Sequence, residues 1–280
     1  MTVHTALLEG SDILGKAAIG VPRLTAEVLL SHALHCDRAF LYAHGADELP
    51  ERAWIHYGRY LNERLTGKPT QYIICRQEFY GREFYVNPSV LIPRPETEHL
   101  VEAGLAFLAG RPEATVLDVG TGSGAIAISI ALESGRALLA SDISLEALAV
   151  ARRNAASLSA RVSFFAADLL DSVARASIDL LVSNPPYVPG ADAANMQKEV
   201  REWEPHVALF AGDSGLEIYR RLLAGAERAV KPGGRVLMEL GYQSLDGVRE
   251  LLSSSWTDVD VKSDLAGWPR VIGATLRNNG

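Results

Sequence analysis

The first seventy residues carry hydrophobic positions at helical spacing. Between residues 51 and 67 the large apolar side chains recur at steps of three and four, at Trp54, Tyr57, Leu61 and Leu65. Gly67 and Pro69 then supply a helix stop. A similar pattern over residues 23–36 predicts a second helix. We therefore expect residues 1–70 to form a small helical domain.

Short apolar segments replace this pattern over residues 71–95. The runs at 72–74, 78–80 and 83–86 lie around Gly81, which predicts two short strands and a turn. Residues 91–95 contain two prolines, and each proline biases the residue before it towards extended backbone. We expect residues 71–95 to be a β-hairpin linker.

From residue 96 onward, strand patterns alternate with helical patterns. The predicted strands span residues 115–119, 138–141, 162–165, 178–182, 236–240, 259–261 and 271–276. Helical patterns lie at residues 125–132, 144–156, 216–230 and 244–252, and Ser144 is a candidate N-cap. Because such alternation builds a doubly wound sheet, residues 96–280 are predicted to form an α/β domain with a seven-stranded Rossmann-like sheet.

Composition adds limits on cellular context. The 280 residues are 48 % hydrophobic and 22 % charged, which is typical of a soluble globular protein. The net charge of −7 argues against a non-specific grip on nucleic-acid backbones, so no direct nucleic-acid binding is expected. The start of the chain lacks the pattern of a signal peptide, and the apolar stretch at 125–132 is too short to span a bilayer. We expect a cytoplasmic protein without membrane contact.

The cysteines and histidines predict no special chemistry. Cys36 and Cys75 lie far apart without a CxxC pattern, which favours two reduced thiols. His32 and His35 lie near Cys36, but no matching ligand pair occurs elsewhere, so no metal site is predicted.

A glycine-rich segment follows the first predicted strand of the α/β domain. Its residues, in the spacing G-x-G-x-G, are Gly120, Thr121, Gly122, Ser123 and Gly124. Glycines at a strand-to-helix turn let the backbone approach a ligand and permit positive φ. A glycine-rich turn without a ligand is the alternative.

Acidic residues follow the next two predicted strands. Asp142 lies twenty positions after Gly122, where a carboxylate can accept both hydroxyls of an adenosine ribose. Asp168 could receive the adenine amino group, with Leu169 beside the ring. The alternatives are a helix-flanking acid at Asp142 and a solvated loop acid at Asp168. Together, the three strand ends predict a nucleoside site.

The predicted strand at 178–182 leads into Asn184-Pro185-Pro186-Tyr187, a candidate catalytic and substrate-binding segment. The Asn184 oxygen and the Pro185 carbonyl could each accept one N–H of an NH₂ group, turning its lone pair towards a reactive methyl. Tyr187 offers a flat face to a planar group, and Asn184 also adjoins the nucleoside site. A strand ended by a Pro-Pro turn is the alternative. We predict an S-adenosylmethionine-dependent methyltransferase acting on an amide-like nitrogen.

These motifs resemble the bacterial release-factor glutamine N5-methyltransferases, the HemK/PrmC family. The resemblance includes residues 67–73, 79–81, 91–98, 204–205, 208–209, 212–216, 264–267 and 270–271 as well as Asn184–Tyr187. It implies the methyltransferase form of the Rossmann-like sheet and S-adenosylmethionine as the methyl donor. We also expect the enzyme to be a monomer. The implied substrate is the glutamine of the Gly-Gly-Gln loop in peptide-chain release factors, held partly by the helical domain. Cys75 and Trp268-Pro269 depart from the family pattern, where glycine and an acidic residue are more usual.

Two other functions are compatible with parts of this pattern. An adenine or cytosine amino-methyltransferase also acts on a conjugated NH₂ group, but base methylation requires base flipping and contacts with phosphates. The chain has no basic run and a net charge of −7, which disfavours it. A non-catalytic cofactor-binding module is the second alternative, although every proposed site residue is present.

Overall fold

The computed structural model describes residues 1–278. The chain divides into two compact units. The helical unit comprises Met1–Arg76 with Gln197–Trp203. The sheet unit comprises Gln77–Met196 and the chain from Glu204 onward. Among the helices of residues 1–278, none is both long enough and apolar enough to cross a membrane.

The helical unit contains the two predicted helices and three others before residue 76. Its first five helices are α1 (Val3–Lys16), α2 (Pro22–Leu34), α3 (Arg38–Ala43), α4 (Glu51–Leu65) and α5 (Thr70–Ile74). Tyr57 on α4 is fully buried, and Gly10 on α1 makes room for it. A Cβ added to Gly10 would lie 1.9 Å from the Tyr57 hydroxyl oxygen, so any larger residue there would separate the two helices.

The segment at 72–74 was expected to be extended, and that prediction is wrong because α5 occupies Thr70–Ile74. Pro69 lies at its N-cap position, where a missing N–H costs the helix nothing. The hairpin begins later, with β1 (Arg76–Phe79) and β2 (Arg82–Tyr85). Tyr80 and Gly81 between them both have positive φ, which is the geometry of a type I′ turn.

The hairpin packs into the core of the sheet unit. Phe79 and Phe84 are buried with their rings edge to face, at 6.0 Å between centroids. Asn154 accepts a hydrogen bond from the Tyr85 N–H at 2.8 Å and donates to the Tyr85 and Ser123 carbonyls at 3.0 and 2.9 Å. One buried amide therefore joins the hairpin to the glycine-rich segment.

The predicted fold class is confirmed by a seven-stranded sheet. Its strands are β3 (Val116–Val119), β4 (Leu138–Asp142), β5 (Val162–Ala166), β6 (Ile178–Ser183), β7 (Val230–Glu239), β8 (Trp256–Ser263) and β9 (Pro269–Leu276). The helices after α5 are α6 (Glu98–Leu108), α7 (Ala125–Ser134), α8 (Leu145–Ser157), α9 (Lys198–Trp203, part of the helical unit), α10 (His206–Leu209), α11 (Glu217–Ala229) and α12 (Leu245–Leu251). Ser144 caps α8 as predicted, accepting from the Ala147 N–H.

Strand order brings the predicted site segments together. The order is β5-β4-β3-β6-β7-β9-β8, and β9 runs antiparallel to β7 and β8. Because β3 pairs in parallel with both β4 and β6, the carboxyl ends of these three strands are neighbours. The chain order reverses direction at β3, which is where open α/β sheets bind ligands.

Candidate functional site

The turn after β3 has open space beside its backbone at two glycines. Gly120 and Gly122 have φ of +72° and +55°, and a Cβ added to either would meet nothing within 4 Å. The N–H groups of Gly120 and Thr121 both donate to the Ser141 carbonyl at 2.9 Å, which closes the turn against β4. The glycines therefore combine left-handed backbone with open space beside it.

Gly124 has a different role from its two neighbours. It caps α7 at φ +83°, and an added Cβ would lie 2.8 Å from Ile128 Cδ1 and 3.3 Å from Ala151 Cβ. Its lack of a side chain serves close packing of α7, and Gly124 does not line the cavity described below.

Asp142 holds the glycine turn from the end of β4. Its Oδ2 accepts from the Gly122 N–H at 2.8 Å, and its Oδ1 accepts from the Ser144 N–H at 2.9 Å. Burial raises the pKa of Asp142, while these donated hydrogen bonds oppose the rise. Each oxygen keeps lone-pair capacity for a further donor, as a ribose hydroxyl would require.

Asp118 lies beneath the same turn without lining the cavity. It is fully buried on β3, and its Oδ2 accepts from the Thr121 hydroxyl at 2.7 Å. Burial raises the pKa of Asp118 to about 7, and the Thr121 hydrogen bond opposes that rise. This contact fixes the Thr121 side chain and was not predicted.

A cavity of about 280 Å³ lies over these strand ends, near the lower limit for small-molecule sites. Its lining includes the predicted residues Gly120, Thr121, Gly122, Ser123, Asp142, Asp168, Leu169, Asn184 and Pro186. Gly124, Pro185 and Tyr187, also predicted, are outside the lining. Most of the predicted nucleoside site is thus gathered around one cavity.

Asp168 has a partner that sequence reasoning missed. Arg221 on α11 donates to its Oδ2 at 2.7 Å, and both side chains are about half exposed. Arg221 also lines the cavity. The two residues are 53 positions apart, so only the fold could reveal the pair.

The side of the cavity formed by the chain after Glu204 contains an ion pair whose acid is buried. Glu204, 4 % exposed, accepts from Arg94 Nη2 at 2.5 Å and from the Ile92 N–H at 3.3 Å. Arg94 lines the cavity, as do Pro205, Val207, Ala208 and Phe210 beyond Glu204. The pair ties the proline-rich segment to this part of the lining.

The Asn184–Tyr187 segment begins where β6 ends. Asn184 Nδ2 donates to the Thr97 hydroxyl oxygen at 3.2 Å. The Tyr187 ring packs against Gly241, since a Cβ added there would lie 2.5 Å from Tyr187 Cδ2. Burial raises the pKa of Tyr187 to about 12. Thr97 and Gly241 were not among the predicted site residues.

The donor and acceptor set of the cavity suits S-adenosylmethionine. Asp142 can accept from ribose hydroxyls, Ile143 and Leu169 provide apolar surface for an adenine ring, and Gly120 and Gly122 leave backbone bare for the rest of the molecule. With the sheet order and an Asn-Pro-Pro-Tyr segment beside the cavity, these features define the class of S-adenosylmethionine-dependent methyltransferases.

Comparisons with known proteins support this class and narrow it. The family described as PrmC N-terminal domain matches residues 5–74, and the methyltransferase small domain matches residues 99–202. The release factor glutamine methyltransferase of Koribacter versatilis is 45 % identical over 97 % of this chain and 98 % of its own. The release factor glutamine methyltransferase of Nitratidesulfovibrio vulgaris is 40 % identical over 98 % of this chain and 95 % of its own. The chain belongs to the release factor glutamine methyltransferase family.

Solved structures share the fold at lower identity. A methyltransferase from Pyrococcus furiosus matches with a TM-score of 0.51 and 18 % identity, over 70 % of this chain and 90 % of its own. The Thermus thermophilus 16S rRNA N2 G1207 methyltransferase, solved with AdoMet and guanosine, has a TM-score of 0.53 and 18 % identity, over 72 % and 50 %. The likeness concerns the fold.

Proposed function

We propose that the chain transfers the methyl group of S-adenosylmethionine to the side-chain amide nitrogen of the glutamine in the Gly-Gly-Gln motif of peptide-chain release factors. The observation that carries this proposal is the position of Asn184, which lines the cavity together with the glycine turn and Asp142. Relatives named release factor glutamine methyltransferase, matching almost the full chain, support the same substrate.

The chemistry required of the chain is orientation of a poor nucleophile. S-adenosylmethionine supplies an electrophilic methyl group on a positively charged sulfur. The lone pair of a glutamine amide nitrogen is delocalised into the carbonyl, so the nitrogen must be held as it becomes tetrahedral. The Asn184 Oδ1 and the Pro185 carbonyl accept its two N–H groups, which directs the lone pair towards the methyl. The amide becomes acidic as it gains the methyl, so its proton is lost without a strong base.

Pro185 and Tyr187 hold the acceptor rather than the cofactor. Both lie outside the cavity lining, while Asn184 and Pro186 are within it. Pro185 is buried, and its own ring together with the following Pro186 limits the direction of its carbonyl. Tyr187, packed on Gly241, presents a fixed aromatic face to the planar amide.

The helical unit, in this proposal, docks the release factor. A shallow groove within that unit is lined by Ile55 and Trp203 and by polar side chains, among them Arg59 and Lys68. Both cations pair with Glu63, which belongs to the same lining. Ile55 is 62 % exposed, so it is available to a protein partner.

Transfer of labelled methyl from S-adenosylmethionine to unmethylated release factor tests the function. A factor with Gln→Ala in the Gly-Gly-Gln loop and duplex DNA serve as parallel acceptors. We expect label on the wild-type factor alone, and Asn184→Ala should lower turnover by roughly 100-fold or more with cofactor affinity nearly intact. Label on DNA, or no label on any of the three acceptors, would refute the substrate assignment. Near-normal turnover by the Asn184 variant would refute the two-acceptor mechanism.

A further inference from the structure

A buried carboxyl group lies beside Asn184 and has no part in the reaction proposed above. Glu239 ends β7 and is 4 % exposed. Strands β6 and β7 are parallel, with Ser183 opposite Met238, so Asn184 and Glu239 are the next residues in register. The sheet therefore puts this carboxyl group directly next to the amide that is to bind the substrate.

Thr97 completes a three-residue cluster. Its hydroxyl oxygen accepts from Asn184 Nδ2 at 3.2 Å, and it is 5 % exposed at the end of the turn Pro95–Thr97. The side chains of Thr97 and Asn184 both lower the pKa of the Glu239 carboxyl group, as donors to a carboxylate do. Glu239 Oε2 is buried and has no hydrogen-bond partner of ordinary length among residues 1–278. Thr97 and Asn184 line the cavity, whereas Glu239 lies behind them.

The chemistry of the cluster fixes which end of the Asn184 amide faces the substrate. An ionised carboxyl group can only accept hydrogen bonds, so the group turned towards it must be the NH₂ end. The Oδ1 end then remains for the substrate. With the opposite orientation, the Asn184 NH₂ would face the glutamine NH₂, and two donor groups cannot form a hydrogen bond with each other.

We propose that Glu239, acting with Thr97, is a positioning residue that holds the Asn184 amide with its oxygen towards the acceptor nitrogen. The inference rests on the proposed function, because it assigns the cluster to the substrate-binding amide of that reaction.

Charged and titratable neighbours make the cluster sensitive to pH. Burial is the largest cause of the rise in the pKa of Glu239 to about 7; Glu96 contributes to the rise, and Arg270 opposes it. Tyr187 and Tyr219 also face the carboxyl group, and Glu239 contributes to raising the pKa of each. Once protonated, Glu239 can donate a hydrogen bond and no longer requires the NH₂ end of Asn184. Turnover should therefore fall as the pH drops below about 7.

The first test is the pH profile of kcat for Glu239→Gln, which keeps the size of the side chain and removes its titration. We expect kcat to fall roughly 100-fold at pH 8, with the KM for release factor and the affinity for S-adenosylmethionine retained. The acidic limb of the wild-type profile should disappear. Thr97→Ser should restore most of the turnover that Thr97→Val loses.

A matched control is Asp179→Asn. Asp179 lies at the opposite end of β6, paired with Lys231 at 2.6 Å, so its substitution should leave kcat and the acidic limb unchanged. Thermal unfolding of each variant establishes that it is folded under assay conditions. If Glu239→Gln is folded and keeps wild-type turnover together with the acidic limb, the positioning role is refuted.

A second readout requires no acceptor. In the full chain labelled with ¹⁵N-asparagine, the side-chain NH₂ resonances of Asn184, assigned by their loss in Asn184→Ala, should shift with a midpoint near pH 7. In Glu239→Gln they should stay constant through that range. Resonances that do not respond to pH in the wild type would overturn the inference. Absence of methyl transfer by the wild type would instead overturn the proposed function, with the NMR titration still deciding the orientation.

Discussion

Replacing Glu239 by glutamine should stabilise the protein above pH 7 while impairing turnover. Its folded-state pKa is raised by burial from an ordinary 4.5 to about 7. Between these two values the unfolded chain has released the proton and the folded chain still holds it. Stability therefore falls as the pH rises from about 4.5 to about 7, and is constant above that range. Glutamine has no proton to lose and avoids this decrease.

The magnitude follows from the difference between the two pKa values. From 4.5 to about 7 is about two and a half pH units, and each is worth about 1.4 kcal/mol, so the full effect is about 3–4 kcal/mol. A glutamine must still satisfy Thr97 and Asn184, and one poorer hydrogen bond would reduce the gain by about 1 kcal/mol. We expect the variant to be about 2–3 kcal/mol more stable than wild type at pH 8, and about 1 kcal/mol less stable than wild type at pH 4.5, where only the poorer hydrogen bond remains.

Urea-induced unfolding of both proteins at pH 4.5, 6 and 8, followed by circular dichroism, measures this difference. Glu250→Gln is the charge-matched control, because Glu250 is exposed on α12 and its replacement changes the net charge equally. The contribution of Asp118, whose pKa is also raised to about 7, is common to the compared proteins and cancels. A stability difference independent of pH, or one with wild type more stable at pH 8, would refute a buried carboxyl group that ionises near pH 7.

Three further predictions concern other parts of the chain. Asp142→Ala should weaken S-adenosylmethionine binding by roughly tenfold or more in calorimetry, since its contact with the glycine turn and its ribose acceptor are both lost. Asp171→Ala is the control, because Asp171 is exposed. If Asp142→Ala binds S-adenosylmethionine as tightly as wild type, Asp142 does not bind the cofactor. Ile55→Asp should raise the KM for release factor without changing cofactor affinity, unlike Leu8→Asp on α1, where the side chain is 49 % exposed. The pKa of Glu217 is lowered to about 2, mainly by the Ser214 N–H, so Glu217→Gln should destabilise the protein at pH 7. Because that stabilisation is lost as the pH falls towards 2, the difference should vanish there; thermal unfolding across pH measures it.

Local patterns predicted most of the sheet unit because each of its strands and helices has a recognisable pattern within a few residues. The glycine turn after β3 and the acid after β4 lie in short strand-turn-helix segments, where backbone conformation and strand polarity follow from nearby residues. The prediction for residues 72–74 was wrong because it also depended on a short local pattern, and three apolar residues fit either a strand or a helix. Only the preceding Pro69 and the position of the hairpin decide between them.

Contacts between distant segments could not be predicted in this way. Thr97 and Asn184 are 87 positions apart, and Arg221 and Asp168 are 53 apart. These pairs depend on strand order and helix placement, which periodicity alone leaves open. The motif identifies Asn184, but the orientation of its amide depends on Thr97 and Glu239, which no local signal connects to it.

Stability and function make opposite demands at these strand ends. An apolar residue at the end of β7 would avoid the cost of burying a carboxylate, and replacement of buried charges by apolar groups is often stabilising. Such a residue would also leave the Asn184 amide free to reverse. Asp118 is related to the glycine turn as Glu239 is related to Asn184. It is buried beneath the turn and accepts a hydrogen bond from the Thr121 hydroxyl at 2.7 Å. Each acid holds a polar side chain that lines the cavity, and each has its pKa raised to about 7 by burial. The carboxyl edge of the sheet is therefore where the protein gives up folding free energy in exchange for fixed polar geometry.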